Sequence, residues 1–382
     1  MLKFHALRVS DLQPDADDAV AVALEVPDGL KGEYTGLPGQ HIVVRAHLDG
    51  TEQRRTYSLV NAPGEWPLRI VARVLGRMSR HLADQISVGD SIDVLPPNGS
   101  LTARLSDTRS LSAAPGRTYV GFTSGCGVTP IVSVAKAVLK AHPRNEFILF
   151  YGNTTTGRTM CLEELLALKD RYLDRLALHF VMSREPQEVE LYNGRVDSAR
   201  VRQLAKTLFD VERVAEFFVC GPGDMIDQVS AALRELKVAP DRIHAEHFTV
   251  ADQGEARAAV PERIHAEHSG PADQGDRPAA TPPPAQATDV AEVTVQMDGR
   301  RRSFTMRMND ETVLDAASRA GLDLPFSCRA GVCSTCRTKV VSGEVSMDQN
   351  YALEEWELEQ GYVLACQARC KTPSLELDYD EK

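Results

Sequence analysis

The first 105 residues alternate apolar and polar positions with a period of two. Six short runs carry this pattern: HALRVSDL, AVAVALEV, HIVVRAHL, RRTYSLV, LRIVARVL and DSIDVL. Glycine, proline and aspartate separate the runs, and these residues favour turns. A strand places successive side chains on opposite faces, so the alternation indicates strands with one buried face. We predict an antiparallel β-barrel over residues 1–110.

The pattern changes near residue 116. Apolar runs such as TYVGF, EFILFYG, ALHFVMS and EFFVCG now alternate with helical stretches such as IVSVAKAVLKAH and MIDQVSAALRELK. Alternation of strands with helices is typical of βαβ units built around a parallel sheet. We therefore predict an α/β domain with a parallel sheet over residues 111–248.

A segment of different composition follows. Residues 249–289 are rich in Ala, Pro, Gly, Asp and Gln. This composition buries too little apolar surface to offset the entropy of ordering, so we predict a flexible linker. The hexapeptide RIHAEH at 242–247 recurs at 263–268, which indicates a tandem duplication that lengthened the linker.

Residues 290–382 form a third predicted domain. AEVTVQMDG and RRSFTMRM are typical of a hairpin that turns at Asp298-Gly299. NDETVLDAASRAG predicts a helix with Asn309 or Asp310 as its cap and Gly321 as its stop. A small sheet crossed by one helix is the pattern of a β-grasp fold.

Composition and charge narrow the classes of function. The 382 residues carry 43 Lys and Arg against 54 Asp and Glu, a formal net charge of −11. Binders of nucleic acid or anionic membranes carry a basic face, so we expect neither partner. The amino-terminal stretch lacks the apolar core of a signal peptide, and the uncharged run 118–135 is interrupted by glycines and Pro130. We expect a cytoplasmic protein, where thiols stay reduced.

Four of the eight cysteines have the spacing of metal ligands. Cys328, Cys333 and Cys336 form C-x4-C-x2-C, and Cys366 follows after 29 residues. This is the plant-type [2Fe–2S] spacing, in which four thiolates hold two irons. A zinc site is the alternative, but zinc sites usually use two C-x2-C pairs and only one is present. We predict these four cysteines as iron ligands and Cys370 as a bystander thiol.

Two motifs in the predicted barrel suit a ligand that carries phosphates and an aromatic ring. Arg55-Thr56-Tyr57-Ser58 lies on a strand, where Arg can grip a pyrophosphate and Tyr can cover a ring. Gly76-Arg77-Met78-Ser79 precedes a helix expected to start near Arg80, and a helix N-terminus suits a second phosphate. A chance tetrapeptide and a capped surface helix are the alternatives.

Two further motifs follow predicted parallel strands. SGCGVTP at 124–130 comes after TYVGF and opens a helix, and its glycines allow close approach of the backbone to a ligand. This strand-turn-helix context indicates a dinucleotide pyrophosphate site. Cys220-Gly221-Pro222 ends EFFVCG at the sheet edge where α/β proteins bind ligands, although a buried Cys often only packs.

Taken in order, these motifs resemble the ferredoxin–NADP⁺ reductase superfamily fused to a plant-type ferredoxin. The resemblance covers nearly the whole chain except the linker, and it rests on the order of the motifs. Its further matches are YGN at 151–153, NGRVD at 193–197, CGPGDM at 220–225, IHAEHF at 243–248, LPFSCRAGVCSTC at 324–336, NYALE at 350–354 and GYVLACQA at 361–368.

The resemblance implies three cofactor sites. Tyr57 would lie against the isoalloxazine of FAD and Ser58 near its N5, so Ser58 and Cys220, which would lie near the nicotinamide, are the implied catalytic residues. The implied FAD ligands are Arg55, Tyr57, Ser58, Gly76 and Ser79. The implied nucleotide ligands are Gly125, Gly127, Thr129, Cys220, Gly221 and, for the 2′-phosphate of NADPH, Ser183 and Arg184. Leu75 and Cys126 depart from the family pattern.

The implied function is electron transfer from NADPH through FAD and the [2Fe–2S] cluster to the oxygenase component of a multicomponent monooxygenase or epoxidase. Glu185 beside Arg184 keeps NADH as an alternative nucleotide, and FMN is the alternative flavin. NYALE and NGRVD favour reductases that serve phenylacetyl-CoA epoxidases. A Rieske aromatic-ring or steroid hydroxylase is the alternative partner, and a non-enzymatic zinc-binding scaffold is the alternative class.

Overall fold

The computed structural model describes residues 3–99, 101–102, 116–247, 290–353 and 355–381. The predicted linker at 249–289 lies outside the described residues. No helix in these ranges is long and apolar enough to cross a membrane.

Six antiparallel strands form the first sheet, in the order β4-β3-β6-β1-β2-β5. An isolated bridge between Leu59 and Ile70 joins the end of β4 to β5, so the sheet curls toward closure as predicted for a barrel. The elements of this part are β1 His5–Pro14, β2 Ala19–Glu25, α1 Lys31–Tyr34, β3 His41–Leu48, β4 Thr51–Ser58, β5 Leu68–Arg73, α2 Arg77–Asp84 and β6 Ser91–Val94.

Helix α2 begins at Arg77, three residues before the predicted start near Arg80. Gly76 is the N-cap, and the Oγ of Ser79 accepts hydrogen bonds from the backbone N–H groups of Leu75 and Gly76, each at 3.0 Å. Ser79 therefore occupies the third helical position, where a polar side chain can fold back on the cap. The sequence prediction was wrong because it placed this serine before the helix.

Five parallel strands form the second sheet, in the order β11-β10-β7-β8-β9. The strand order reverses at β7, so a crevice opens at the carboxyl ends beside it. The elements are β7 Thr118–Ser124, α3 Val128–Ala141, β8 Glu146–Asn153, α4 Leu162–Arg171, β9 Leu176–Met182, α5 Ser198–Thr207, β10 Val214–Gly221, α6 Gly223–Glu235 and β11 Ile243–His247. The predicted parallel α/β arrangement is confirmed.

Helix α3 joins the first two sheets through a shared core. Its buried residues Val132 and Ala135 pack in one cluster with Val60, Val71 and Leu101 of the barrel part. This apolar contact fixes the carboxyl edge of the parallel sheet beside strands β4 and β5. The motifs of both parts are thereby brought to the same side of the molecule.

The third sheet has the order β13-β12-β18-β14-β16, and the first and last strands of this part along the chain, β12 and β18, pair in parallel. The elements are β12 Val290–Met297, β13 Arg300–Arg307, α7 Val313–Arg319, β14 Arg337–Ser342, β15 Val345–Met347, α8 Glu355–Glu359, β16 Tyr362–Leu364, β17 Ala368–Cys370 and β18 Ser374–Asp378. Asp298 and Gly299 both have positive φ, +57° and +67°, which is the geometry of a tight hairpin turn. The hairpin and the β-grasp arrangement are confirmed.

The cap of α7 differs from the prediction. Thr312 is the N-cap, and its Oγ1 accepts a hydrogen bond from the N–H of Asp315 at 3.2 Å. Asn309, which was predicted as a cap, has a φ of +59° and turns the chain after β13. Gly321 lies just past the end of the helix with a φ of +77°, as its predicted role as a stop requires.

We expect Thr312→Ala to destabilise α7 by about 1 kcal/mol, because the N–H of Asp315 loses its acceptor. Amide exchange of residues 313–319 in the full-length protein should accelerate about fivefold. Thr312→Ser keeps the hydroxyl and should exchange like the wild type. Equal exchange in the alanine and serine variants would show that the cap is unimportant.

Candidate functional site

A cleft opens where the three parts of the chain meet. The five residues predicted to hold FAD all line it: Arg55, Tyr57, Ser58, Gly76 and Ser79. The α/β part contributes Cys126, Thr129 and Glu246, and the carboxyl-terminal part contributes Ser327, Cys328, Val332 and Cys333. The structure therefore places the predicted flavin site directly against the predicted iron ligands.

Four buried polar atoms in this cleft have no hydrogen-bond partner among the described residues. They are Nε2 of His41, Oγ of Ser58, Oε2 of Glu246 and Oγ of Ser327. A buried polar atom without a partner is costly, by about 1–3 kcal/mol. A ligand with several polar atoms along one edge, such as an isoalloxazine ring, would supply these partners. The residues of the cleft thus fit a flavin.

Sequence reasoning missed His41 and Glu246 as site residues. His41 pairs with Ser58 across β3 and β4, and its Nδ1 lies 3.5 Å from Oε1 of Glu246. Both side chains line the cleft. Glu246 lies near the carboxyl end of a parallel strand, a position that could have marked it as a candidate. His41 gives no such signal, because its role depends on which residue faces it across the sheet.

A second cleft lies at the carboxyl edge of the parallel sheet. Of the predicted nucleotide ligands, Gly125, Ser183 and Gly221 line it, and Thr129 lines the first cleft instead. The two clefts are adjacent, since Arg73, Leu75 and Cys126 line both. A dinucleotide in the second cleft could therefore extend its ring toward the first.

Three of the predicted nucleotide ligands do not line either cleft. A Cβ on Gly127 would overlap the backbone carbonyl of Cys220, so this glycine lets helix α3 pack closely on β10. The side chain of Cys220 is fully buried, and burial raises the pKa of its thiol well above the usual value. Arg184 is exposed, and its backbone N–H donates to the carbonyl of Thr154 at 2.9 Å. Cys220 and Arg184 remain predicted site residues.

The four predicted iron ligands lie together as two thiol pairs. Cys328 is paired with Cys333, and Cys336 with Cys366, through side-chain hydrogen bonds, and all four thiols are free. Hydrogen bonds from Cys333 and from backbone N–H groups, including that of Ala330, lower the pKa of Cys328 to about 6 despite burial. The backbone donors stabilise thiolate sulfur, which is the form that binds iron.

The loop that carries three of these thiols contains residues with a left-handed backbone conformation, which make it turn tightly. Arg329, Gly331 and Ser334 have φ values of +54°, +73° and +48°. A Cβ on Gly331 would meet the carbonyl of Gln349 at 3.0 Å and the side chain of Gln367 at 3.3 Å. Glycine is therefore required at 331, both for its φ and for the space. The close winding turns backbone N–H groups toward the sulfur atoms.

The pairing of the thiols also distinguishes two irons from one zinc. Two separate pairs suit a cluster in which each iron takes two thiolates. The donor set thus fits the [2Fe–2S] group better than the zinc alternative.

Comparison with known families defines the class of the protein. Residues 23–102 match the oxidoreductase FAD-binding domain family, and residues 123–231 match the oxidoreductase NAD-binding domain family. Residues 295–371 match the 2Fe-2S iron-sulfur cluster binding domain family. The protein is an oxidoreductase with FAD, NAD and [2Fe–2S] domains in that order.

Relatives extend this match to the full chain. A subunit of the 1,2-phenylacetyl-CoA epoxidase of Escherichia coli K12 is 34% identical over 384 residues, covering 100% of this chain and 99% of that protein. The ferredoxin reductase component of 3-ketosteroid-9-alpha-monooxygenase from Rhodococcus rhodochrous is 30% identical and covers 98% and 96%. The chain belongs to the ferredoxin–NADP⁺ reductase superfamily, among the oxygenase reductase components that carry a carboxyl-terminal [2Fe–2S] domain.

Solved structures support the same fold. Phthalate dioxygenase reductase covers 98% of both chains with a TM-score of 0.51 at 20% identity. An intact type IV self-sufficient cytochrome P450 monooxygenase matches 98% of this chain and 41% of its own length, with a TM-score of 0.62 at 18% identity. The predicted combination of a flavin barrel, a nucleotide domain and a β-grasp ferredoxin domain is confirmed.

We expect Cys366→Ser to abolish or strongly deplete the [2Fe–2S] cluster, because one iron would lose a thiolate. Cys370 is a matched control: it is also buried, four residues away, and its Sγ donates to the carbonyl of Thr372 at 3.0 Å. Cys370→Ser should retain iron. Iron content and visible absorbance of the purified variants measure the result, and equal iron in both variants would contradict the ligand assignment.

Proposed function

We propose that the protein transfers electrons from NADPH to the oxygenase component of a phenylacetyl-CoA epoxidase. The main support for this proposal is that the three sites are adjacent. The second cleft shares lining residues with the first, and Cys328 and Cys333 line the first. Bound FAD would accept a hydride at one side and release single electrons at the other, which converts a two-electron donor into a one-electron source.

The side chains of the first cleft would position the flavin. The guanidinium of Arg55 is suited to the pyrophosphate, and Tyr57 is suited to cover the ring. Ser58 is 3% exposed, and its hydroxyl is one of the unpartnered atoms, so it can donate to a ring nitrogen. Glu246 and His41 line the same cleft, with His41 beside Ser58 across β3 and β4, and would help to exclude water from the ring. Cys220 would support the nicotinamide end through the backbone of its strand.

The surroundings of the second cleft favour NADPH over NADH. Arg158, Arg195 and Ser183 line it, and the two arginines could turn to a 2′-phosphate from their carboxylate partners, Asp18 at 2.6 Å and Asp224 at 3.8 Å. Glu185 is the carboxylate that could favour NADH, by accepting hydrogen bonds from the hydroxyl groups of its ribose. It already accepts hydrogen bonds from the hydroxyl and the backbone N–H of Thr156, at 2.6 and 2.7 Å, and these bonds lower its pKa. Glu185 is thus turned toward Thr156.

The choice of partner rests on the relatives. The full-length match to a component of an epoxidase and the NYALE and NGRVD motifs support a phenylacetyl-CoA epoxidase. A Rieske-type oxygenase is the second candidate, supported by the 30% identity to a ketosteroid monooxygenase reductase. The clustered Cys328, Cys333 and Cys336 support a location in the cytoplasm, where thiols stay reduced and serve as metal ligands.

Reconstitution tests the proposed partner. The holoprotein and NADPH are combined with a purified phenylacetyl-CoA epoxidase oxygenase or with a ketosteroid monooxygenase oxygenase, and product is quantified. We expect turnover of phenylacetyl-CoA at a rate at least about tenfold above that with the second oxygenase, since a docking preference of that size corresponds to about 1.4 kcal/mol. Turnover with the second oxygenase alone would replace the leading proposal, and the Cys366→Ser variant is the inactive control.

A further inference from the structure

Arg54 makes a contact between the flavin barrel and the ferredoxin domain. Its Nη2 donates to Oδ1 of Asp323 at 3.0 Å, and its guanidinium lies 4.2 Å from the ring centroid of Phe326. The Nε also donates to Glu52 on its own strand at 2.8 Å. The Arg54 side chain is only 6% exposed, which is unusual for an arginine on an edge strand.

This contact lies beside both cofactor sites. Arg54 immediately precedes Arg55 of the predicted flavin motif. Phe326 immediately precedes Ser327 and Cys328, which line the flavin cleft. By holding Phe326 against strand β4, Arg54 therefore fixes the position of Cys328, the first predicted iron ligand, relative to the barrel residues of the cleft.

The chemistry of the contact suits an arginine. The guanidinium carbon lies 4.2 Å from the ring centroid of Phe326 and 5.2 Å from that of Phe4, while its N–H groups donate to two carboxylates. A planar guanidinium can stack and donate at the same time, whereas a lysine ammonium cannot. Asp323 is 69% exposed, so dissolved salt should screen its ion pair with Arg54. The stacking of Arg54 on Phe326 should depend little on salt.

The docked arrangement also covers the most accessible thiol. Cys328 is half-buried, and the other three predicted ligands are buried. Cys328 lines the flavin cleft, so this edge of the cluster loop faces the barrel while the ferredoxin domain is docked. A contact that can open is therefore more useful here than a permanent apolar interface.

We propose that Arg54 is a reversible latch that holds the ferredoxin domain in the electron-accepting position, and that its separation from Asp323 and Phe326 exposes the cluster edge to the oxygenase. Arg54 is a positioning residue, since it acts through Phe326 and the cluster loop. The proposal rests on the proposed electron-transfer function, but its test requires no oxygenase.

Arg54→Ala tests the latch in the oxidised holoprotein by small-angle scattering and, after anaerobic mixing with NADPH, by stopped-flow absorbance. We expect a larger radius of gyration and about tenfold slower reduction of the cluster, because a stacked and an ionic contact are lost together. Bleaching of the flavin by NADPH should keep its wild-type rate. Arg8→Ala is the control, since Arg8 pairs with Glu25 within the barrel part and shares no partner with Arg54.

Two further variants separate the parts of the contact. Asp323→Asn should slow cluster reduction less than Arg54→Ala does, and it should remove most of the salt dependence of that step. In the Arg54→Ala background, Asp323→Asn should have no further effect. Arg54→Lys keeps the charge but loses the stacking, so it should fall between the wild type and Arg54→Ala.

Unchanged compactness and an unchanged rate of cluster reduction in Arg54→Ala would overturn the proposal. Equal slowing in Arg8→Ala would also overturn it, because the effect would then belong to the barrel rather than to the domain contact. Failure of the wild-type protein to support any oxygenase, with a slowed cluster step in Arg54→Ala, would reject the proposed function and retain the latch.

Discussion

One cleft must be shared by three separately folded parts, and the rest of the structure depends on that constraint. Electrons pass only between groups that are close, so the flavin has to face a nucleotide on one side and the cluster on the other. The barrel supplies the strand with Arg55 to Ser58, the parallel sheet supplies Cys126 and Glu246, and the ferredoxin domain supplies Cys328 and Cys333. Each part has its own core, and their loops meet at this cleft.

The two junctions of the cleft are built differently. Between the barrel and the nucleotide domain, helix α3 contributes to a shared apolar core, which makes a fixed interface. Between the barrel and the ferredoxin domain, the contact described above is a stacked and ionic one around Arg54. This difference fits the chemistry, since hydride transfer needs a constant geometry, whereas the cluster has to serve two partners in turn.

Much of the fold could be predicted from local patterns. Period-two alternation predicted the strands of the barrel, unbroken apolar runs predicted the parallel sheet, and Asp298-Gly299 predicted the hairpin. These features depend on neighbouring residues alone. Cysteine spacing predicted the four ligands that the structure brings together as two pairs, because a single loop carries three of them.

The features that could not be predicted depend on distant residues. His41 acquires its place in the cleft from its register against Ser58, and Glu246 from a strand that ends beside another domain. Thr312 caps its helix because Asn309 is already used in a turn. Arg54 looked like an ordinary charged residue on a strand, and only the docking of residue 326 gives it a role.

Anaerobic rapid mixing of the oxidised holoprotein with NADPH, without any partner protein, tests the connected arrangement of the three sites most directly. The flavin and iron–sulfur absorbances are followed separately. We expect the flavin band to bleach first and the cluster band to follow within the same protein molecule, at a rate independent of protein concentration. A cluster that stays oxidised, or one whose reduction rate rises in proportion to protein concentration, would contradict an intramolecular path through the shared cleft.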